Sequence, residues 1–342
     1  TSNINASAAT GALVLNLGAS LTSNDTVTGG SSTSDVLRVQ TTGAQVGVNV
    51  SSFETLRVSE GSTGNVFFAT APNFSTIRVD SSALGVPSTT AATFNTIGAA
   101  STINYIGDSS SVAANRAAGG VFGALTLGSS YTGASDTVAI NINNGGVAKD
   151  AGIGFATGNL TANGIETVNY TVADVTATGQ TGVGVISSNT LRSISFTTPG
   201  TLALLAAGIQ GGTTQGSATV SSISFAGVTG AVTQAGNQTV TLANGATITS
   251  GNGGTTLVFA PANTTAGDVY NYIGGTGADV VTLTSGATSQ AVMSGGNGAD
   301  NLTAGLGADI INGGAGNDTI TGAFGADTLT GGAGADDFIQ TL

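Results

Sequence analysis

Cysteine, histidine and tryptophan are all missing from this chain, lysine occurs once (Lys149), and the basic residues number 6 against 18 acidic ones in 342 residues. Without cysteine there is no disulfide framework and no thiol nucleophile. Without histidine there is no imidazole base and no conventional nitrogen ligand for a transition metal. The commonest hydrolytic constellations go with them. With a net charge of −12 and its last basic residue at Arg192, the chain has little to neutralise phosphates, which argues against a nucleic-acid partner. No run of 18 apolar residues exists, so no membrane-spanning helix and no membrane insertion is expected.

What is present is small and β-prone: 55 glycines with abundant Ala, Ser and Thr, and only 7% charged residues. Such material suits a solenoid, in which each rung must stack closely on the next. At about 20 residues per rung the chain would hold roughly 15 rungs and reach on the order of 70 Å as one continuous stack. The expectation is an all-β fold: a right-handed parallel β-solenoid over residues 1–265 and a β-roll over 266–342. The first residue is Thr1 with no signal peptide before it, so the chain reads as processed or trimmed.

The β-roll assignment rests on a nine-residue beat. From Gly295 to Ile339 the chain reads GGNGADNLT, AGLGADIIN, GGAGNDTIT, GAFGADTLT, GGAGADDFI, and an outlier, GGTGADVVT, begins at Gly274. In every copy the fourth position is Gly, the eighth is apolar (Val281, Leu302, Ile311, Ile320, Leu329, Phe338), and the sixth is Asp (Asp279, Asp300, Asp309, Asp318, Asp327, Asp336). A chain that alternates a six-residue turn with a short strand spends two nonads on each circuit, so repeats two apart stack. Asp300, Asp318 and Asp336 then share one edge, and Asp309 and Asp327 the other. At an effective dielectric near 20, carboxylates about 5 Å apart repel by roughly 3 kcal/mol, and each further rung repeats the cost.

A cation must therefore sit in the columns, and Ca2+ fits. It takes oxygen ligands at about 2.3 to 2.6 Å and can bridge carboxylates on successive rungs, with turn carbonyls completing the shell. Glycine supplies the positive φ that turns those carbonyls inward. Magnesium demands a tighter octahedron, and zinc has no His or Cys to bind. The competing reading is a disordered Gly/Asp linker, but a linker has no reason to keep an apolar residue at each eighth position.

From Gly274 to Ile339 these residues resemble the RTX family, the Gly-Gly-x-Gly-x-Asp repeat proteins of bacterial type I secretion. The resemblance implies calcium binding by the six aspartates. Ala304 replaces the first Gly of its nonad and Ala323 the second Gly of another, each weakening one site. Asp279 and Asp300 are 21 residues apart rather than 18, so an irregular rung is expected there, with three regular sites and a fourth open.

Upstream, a looser phrase recurs: FETLRV from Phe53, FSTIRV from Phe74, IETVNY from Ile165, LRSISF from Leu191, VSSISF from Val220, and a fainter FNTI from Phe94. The first two and FNTI start 21 and 20 residues apart, close to one rung, and the alternation puts the apolar set toward a core. Asp35 and Asp136 each follow a Gly turn and precede a strand. They are drifted calcium sites or turn caps, and the cap reading is favoured because neither has a partner 18 residues away. Glu54 and Glu166 are the most enzyme-like carboxylates, but their setting reads as solvent-facing strand. Helix is expected only at Ser109 to Gly120 and, weakly, at Leu202 to Ile209.

The phrases also resemble the bodies of RTX-type bacterial surface-layer proteins such as that of Caulobacter. That resemblance implies a secreted, non-enzymatic protein at the bacterial cell surface. It would self-assemble with calcium into a homo-polymeric lattice or filament, with cell-surface polysaccharide as a further partner. The alternatives are an RTX adhesin that binds a surface or carbohydrate, and the non-catalytic part of an RTX-bearing secreted enzyme.

Overall fold

The computed structural model describes residues 2–59, 62–69, 72–80, 91–95, 102–106, 124–127, 135–143, 155–156, 159–173, 180–184, 186–204, 209–211, 220–234, 242–259, 266–284, 286 and 288–340. Among them the protein is all-β, with every strand pair parallel and no helix. Parallel neighbours need a crossover between them, and here the crossover is another strand on the opposite wall. The result is a solenoid in which successive circuits stack. The chain divides into two compact units, Thr1–Asp174 and Val175–Leu342.

In the first unit one wall is formed by Val14–Gly18, Val36–Val39, Thr55–Val58, Thr76–Asp80, Thr102–Ile106, Thr137–Asn143 and Thr167–Val172. Its partners run Leu15, Leu37, Leu56, Ile77, Ile103, Ile140, Tyr170, one inward-facing residue per rung. From Leu37 onward each member is at most 3% exposed. The strand repeat of two sends alternate side chains outward, which is why the apolar-polar alternation of FETLRV and FSTIRV becomes a one-sided core. Phe53 and Phe74 open those phrases and are buried. Phe94 does not follow them. Its strand, Ala91–Asn95, lies on the opposite wall, where Phe94 pairs with Val66 and stacks on Phe68 at 6.3 Å. The FNTI resemblance is thus coincidental, because spacing alone does not distinguish one wall from the other.

In the second unit a seven-strand wall runs from Ser193–Thr198 to Thr328–Ala333, with the column Ile194, Ile223, Ile248, Tyr272, Met293, Ile311, Leu329 facing in. Phe196 and Phe225, which close LRSISF and VSSISF, stack at 5.3 Å. The opposing wall carries Leu257, Val281, Leu302, Ile320 and Phe338 in register. Of the eighth-position residues of the nonads, Val281, Leu302, Ile311 and Ile320 form the core of the roll, whereas Leu329 is half-buried and Phe338, on the last rung, is 51% exposed. On the seven-strand wall Ala246 partners Tyr270.

Of the two helix expectations, Ser109 to Gly120 lies outside the described residues. The second is overturned. Thr201–Leu204 and Ile209–Gly211 are strands, and Leu202 and Leu204 are fully buried and paired to Val232 and Gln234. Pairing on two sides outweighs the modest helix propensity of Leu and Ala.

Candidate metal centre

Each repeat aspartate stands at the last turn position before its strand, so its backbone and carboxylate both face neighbouring rungs. The contacts repeat. The Asp300 N–H donates to Asp318 Oδ1 at 2.9 Å, the Asp318 N–H to Asp336 Oδ1 at 3.0 Å, and on the other edge the Asp309 N–H to Asp327 Oδ1 at 2.9 Å. The two columns read from the 18-residue period are present. The irregular rung joins them without distortion: Asp279 N–H donates to Asp300 Oδ1 at 2.7 Å, and Val280 pairs with Asn301. Ala291 N–H takes the place of an aspartate N–H above Asp309, at 2.7 Å. The three additional residues are thus absorbed between Leu283 and Gln290, away from the first column.

The glycines are required by contact. A Cβ at Gly295, Gly313 or Gly331, the first position of its nonad, would collide with the Oδ2 of that nonad's own aspartate. At the fourth position, Gly298, Gly316, Gly325 and Gly334 have φ between 125° and 141°. The Cα of Gly316 rests on the Gly298 carbonyl, that of Gly325 on the Gly307 carbonyl and that of Gly334 on the Gly316 carbonyl, so a side chain there would push the rungs apart. Of the two departures from the pattern, Ala304 is buried without a positive φ. Ala323 is held at φ 61°, a left-handed conformation unfavourable for a residue with a Cβ, and the pairing register shifts beside it.

The electrostatics are unfavourable as the protein groups stand. Asp300 and Asp318 are 2% and 1% exposed, and the Oδ2 of each is buried with no hydrogen-bond partner. Burial, and then the neighbouring Asp279 and Asp318 charges, push the Asp300 carboxyl up to about 6 even though it accepts the Asp279 N–H. Asp279 is also raised, chiefly by burial. It differs from Asp300 and Asp318 because protein donors reach both of its oxygens: Thr255 N–H at 2.7 Å and Ser250 Oγ at 3.1 Å on Oδ1, and Gly275 N–H at 3.4 Å on Oδ2; on the other edge Asp309 Oδ2 likewise accepts the Gly305 N–H at 3.2 Å and Asp327 Oδ2 the Gln340 amide at 2.8 Å. Tyr272 lies beside it, and its phenol is driven far above the ordinary range by burial and the Asp279 charge. Ser250, Thr255 and Tyr272 lie outside the nonads, and no spacing rule announces them.

Two orphaned carboxylate oxygens in a column of like charge, lined by turn carbonyls, are the donor set of a hard cation. Among the described residues no three acidic side chains converge on one point. An ion held here would draw on turn carbonyls as well as Asp300, Asp318 and their equivalents.

A family model described as the RTX calcium-binding nonapeptide repeat (4 copies) matches residues 294–329 and 314–339. Residues 294–339 are RTX calcium-binding repeats. No curated protein and no solved structure matches the chain. The repeats bind calcium, and an ion held in the columns would supply the positive charge that they lack, with Asp300, Asp318 and their equivalents as the residues that would hold it.

The RTX ladder has upstream counterparts that an 18-residue search cannot find. Asp35 Oδ1 accepts the Leu13 N–H at 2.9 Å across 22 residues, and Asp35 N–H donates to Glu54 Oε2 at 2.8 Å across 19. Asp136 N–H donates to Glu166 Oε2 at 2.8 Å across 30. Asp35 and Asp136 therefore do have stacked partners, on rungs of other lengths. Glu54 and Glu166 are not solvent-facing strand residues: Glu166 is 5% exposed, and both carboxylates cap the rung before them. At Asp25 burial is outweighed by the Thr22 and Ser2 N–H donors, which hold its carboxyl below the usual range.

Proposed function

We propose that the protein is a secreted structural protein that calcium orders and that then self-associates outside the cell, as a surface layer or filament. Asp300, Asp309, Asp318, Asp327 and Asp336 are its calcium ligands. Asp279 ends the column and is the least dependent on the ion. Export through the type I route as an unfolded acidic chain, followed by ordering where calcium is abundant, fits the charge balance.

The observation that carries self-association is an apolar outer face beside the repeats. Ile273, Val292 and Ile310 line a groove of about 530 Å³ on the outside of the seven-strand wall, together with Thr247, Asn271, Ser294 and Asn312. Ile273 is 49% and Ile310 43% exposed, at positions that elsewhere on these strands carry Thr, Ser or Asn. The occupant is a second copy of this chain. With the aspartate columns unneutralised, two acidic copies repel. With calcium bound, the repulsion falls and the apolar faces can meet.

Light scattering and circular dichroism, followed together while calcium is titrated into chelator-treated protein, test this. Gain of β signal with formation of large particles near millimolar calcium is expected, and Ile310→Glu should keep the β signal and abolish the particles. A wild-type chain that orders yet stays monomeric would overturn self-association while leaving calcium binding intact.

A further inference from the structure

On the first unit the outward side chains of successive rungs form a column of their own: Asn16, Arg38, Arg57, Arg78, Asn104, Asn141. Half of the chain's 6 basic residues are therefore stacked on three adjacent rungs of a protein whose net charge is −12. Arg57 and Arg78 are answered internally. Their Nε atoms donate to the two oxygens of a single carboxylate, Asp80, at 2.7 and 2.9 Å. On the rung above, the position matching Asp80 is Ser59, and among the described residues Arg38 Nε donates to that neutral hydroxyl, at 2.9 Å. Among the described residues, three stacked guanidinium groups thus share one carboxylate.

Arg38 lines a groove of about 280 Å³ with Asn16, Gly18, Gln40 and Ser59. Asn16 Oδ1 is taken by the Gly18 N–H at 3.1 Å, which aims the rest of that amide as a donor. The rim is thus a planar cation flanked by side-chain amides and a hydroxyl, with no aliphatic side chain among the lining residues. A guanidinium fork matches a carboxylate in a bidentate manner, and amides and hydroxyls match sugar hydroxyls. The volume lies just below the range for drug-sized ligands, which suits one ring of a longer polymer lying along the wall.

We propose that the Arg38 groove binds the carboxylate of an acidic saccharide, with Arg38 taking the charge and Asn16, Gln40 and Ser59 the neighbouring hydroxyls. The site lies wholly within the first unit and does not depend on calcium-driven self-association.

The test is calorimetric titration of the 342-residue chain, at fixed saturating calcium, with a hyaluronan tetrasaccharide and with its carboxyl-reduced, neutral counterpart. Binding of the acidic form is expected, weakened about tenfold or more by carboxyl reduction and by Arg38→Gln, and unchanged by Arg192→Gln, a basic residue away from the column. Asn16→Asp, which keeps the acceptor for Gly18 and adds a negative charge to the rim, should weaken binding as well. It decides the matter if circular dichroism shows that Arg38→Gln is misfolded. Equal binding of the neutral saccharide, displacement by equimolar inorganic phosphate, or full binding by both groove variants would overturn the proposal.

Discussion

Withdrawing calcium at neutral pH should unfold the RTX segment and leave the first unit standing. The column Asp279, Asp300, Asp318, Asp336 contains three adjacent pairs, and Asp309 with Asp327 makes a fourth. At roughly 3 kcal/mol per pair the uncompensated repulsion is on the order of 12 kcal/mol. The two buried, unpartnered Oδ2 atoms add about 1 to 3 kcal/mol each. The total matches the whole net stability of a typical domain, about 5 to 15 kcal/mol. Among the described residues upstream, the carboxylates stack only as the pairs Asp35/Glu54 and Asp136/Glu166, and no buried carboxylate oxygen there lacks a hydrogen-bond partner. Hydrogen exchange read by peptide, with and without chelator, separates the two regions. Amides of 301–323 should lose protection when calcium is removed, while those of 36–39 and 76–80 keep theirs. Persistent protection of 301–323 in chelator would refute the like-charge argument.

The calcium-free segment should respond to acid in the opposite sense from most proteins. Because the folded Asp300 titrates near 6, above its ordinary 3.8, the folded state holds the extra proton between those values, and the stability that proton confers is complete below about 4 and lost as pH rises through 6. The amides of 301–323 in chelated protein should therefore regain protection at pH 4.5 relative to 7.5, by about 2 kcal/mol in hydrogen exchange, while the calcium-loaded protein should show the reverse trend. Gly313→Ala places a methyl group against the Asp318 carboxylate and the Gly331 carbonyl, so it should cost about 2 kcal/mol or more and remove one calcium from the bound stoichiometry, measured by calorimetry. Ala323→Gly relieves a left-handed backbone at φ 61° and should raise the melting temperature of the calcium-loaded protein, at a gain of about 1 kcal/mol. Ile320→Ala empties a fully buried core position between Leu302 and Phe338 and should cost about 2 to 5 kcal/mol in chemical denaturation.

The amino-acid sequence alone determined the repeat region, because there the length of the rung is constant and is twice the nine-residue period of the pattern. A residue recurring every 18 positions must stack on itself, and so the two aspartate columns, the inward eighth residue and the need for a hard cation could all be read without coordinates. The all-β character was also legible, from small residues and alternation. Where rungs vary in length, tertiary structure alone decided which residues meet. The upstream circuits span 19, 22, 30 and even 37 residues between stacked side chains. No fixed spacing therefore brings Glu54 to Asp35 or Glu166 to Asp136, and none sends Phe94 to the wall opposite Phe74. The arginine column shows the same limit: FETLRV and FSTIRV are recognisable as relatives, but only the closed circuit sets Arg38, Arg57 and Arg78 side by side and leaves three cations with one carboxylate between them among the described residues. Local propensity failed for a related reason at Leu202, whose place is fixed by strands on both sides. Loop lengths are nearly neutral in free energy, so the chain can vary them freely between rungs, and the register they produce is held by long-range pairing rather than by any local signal.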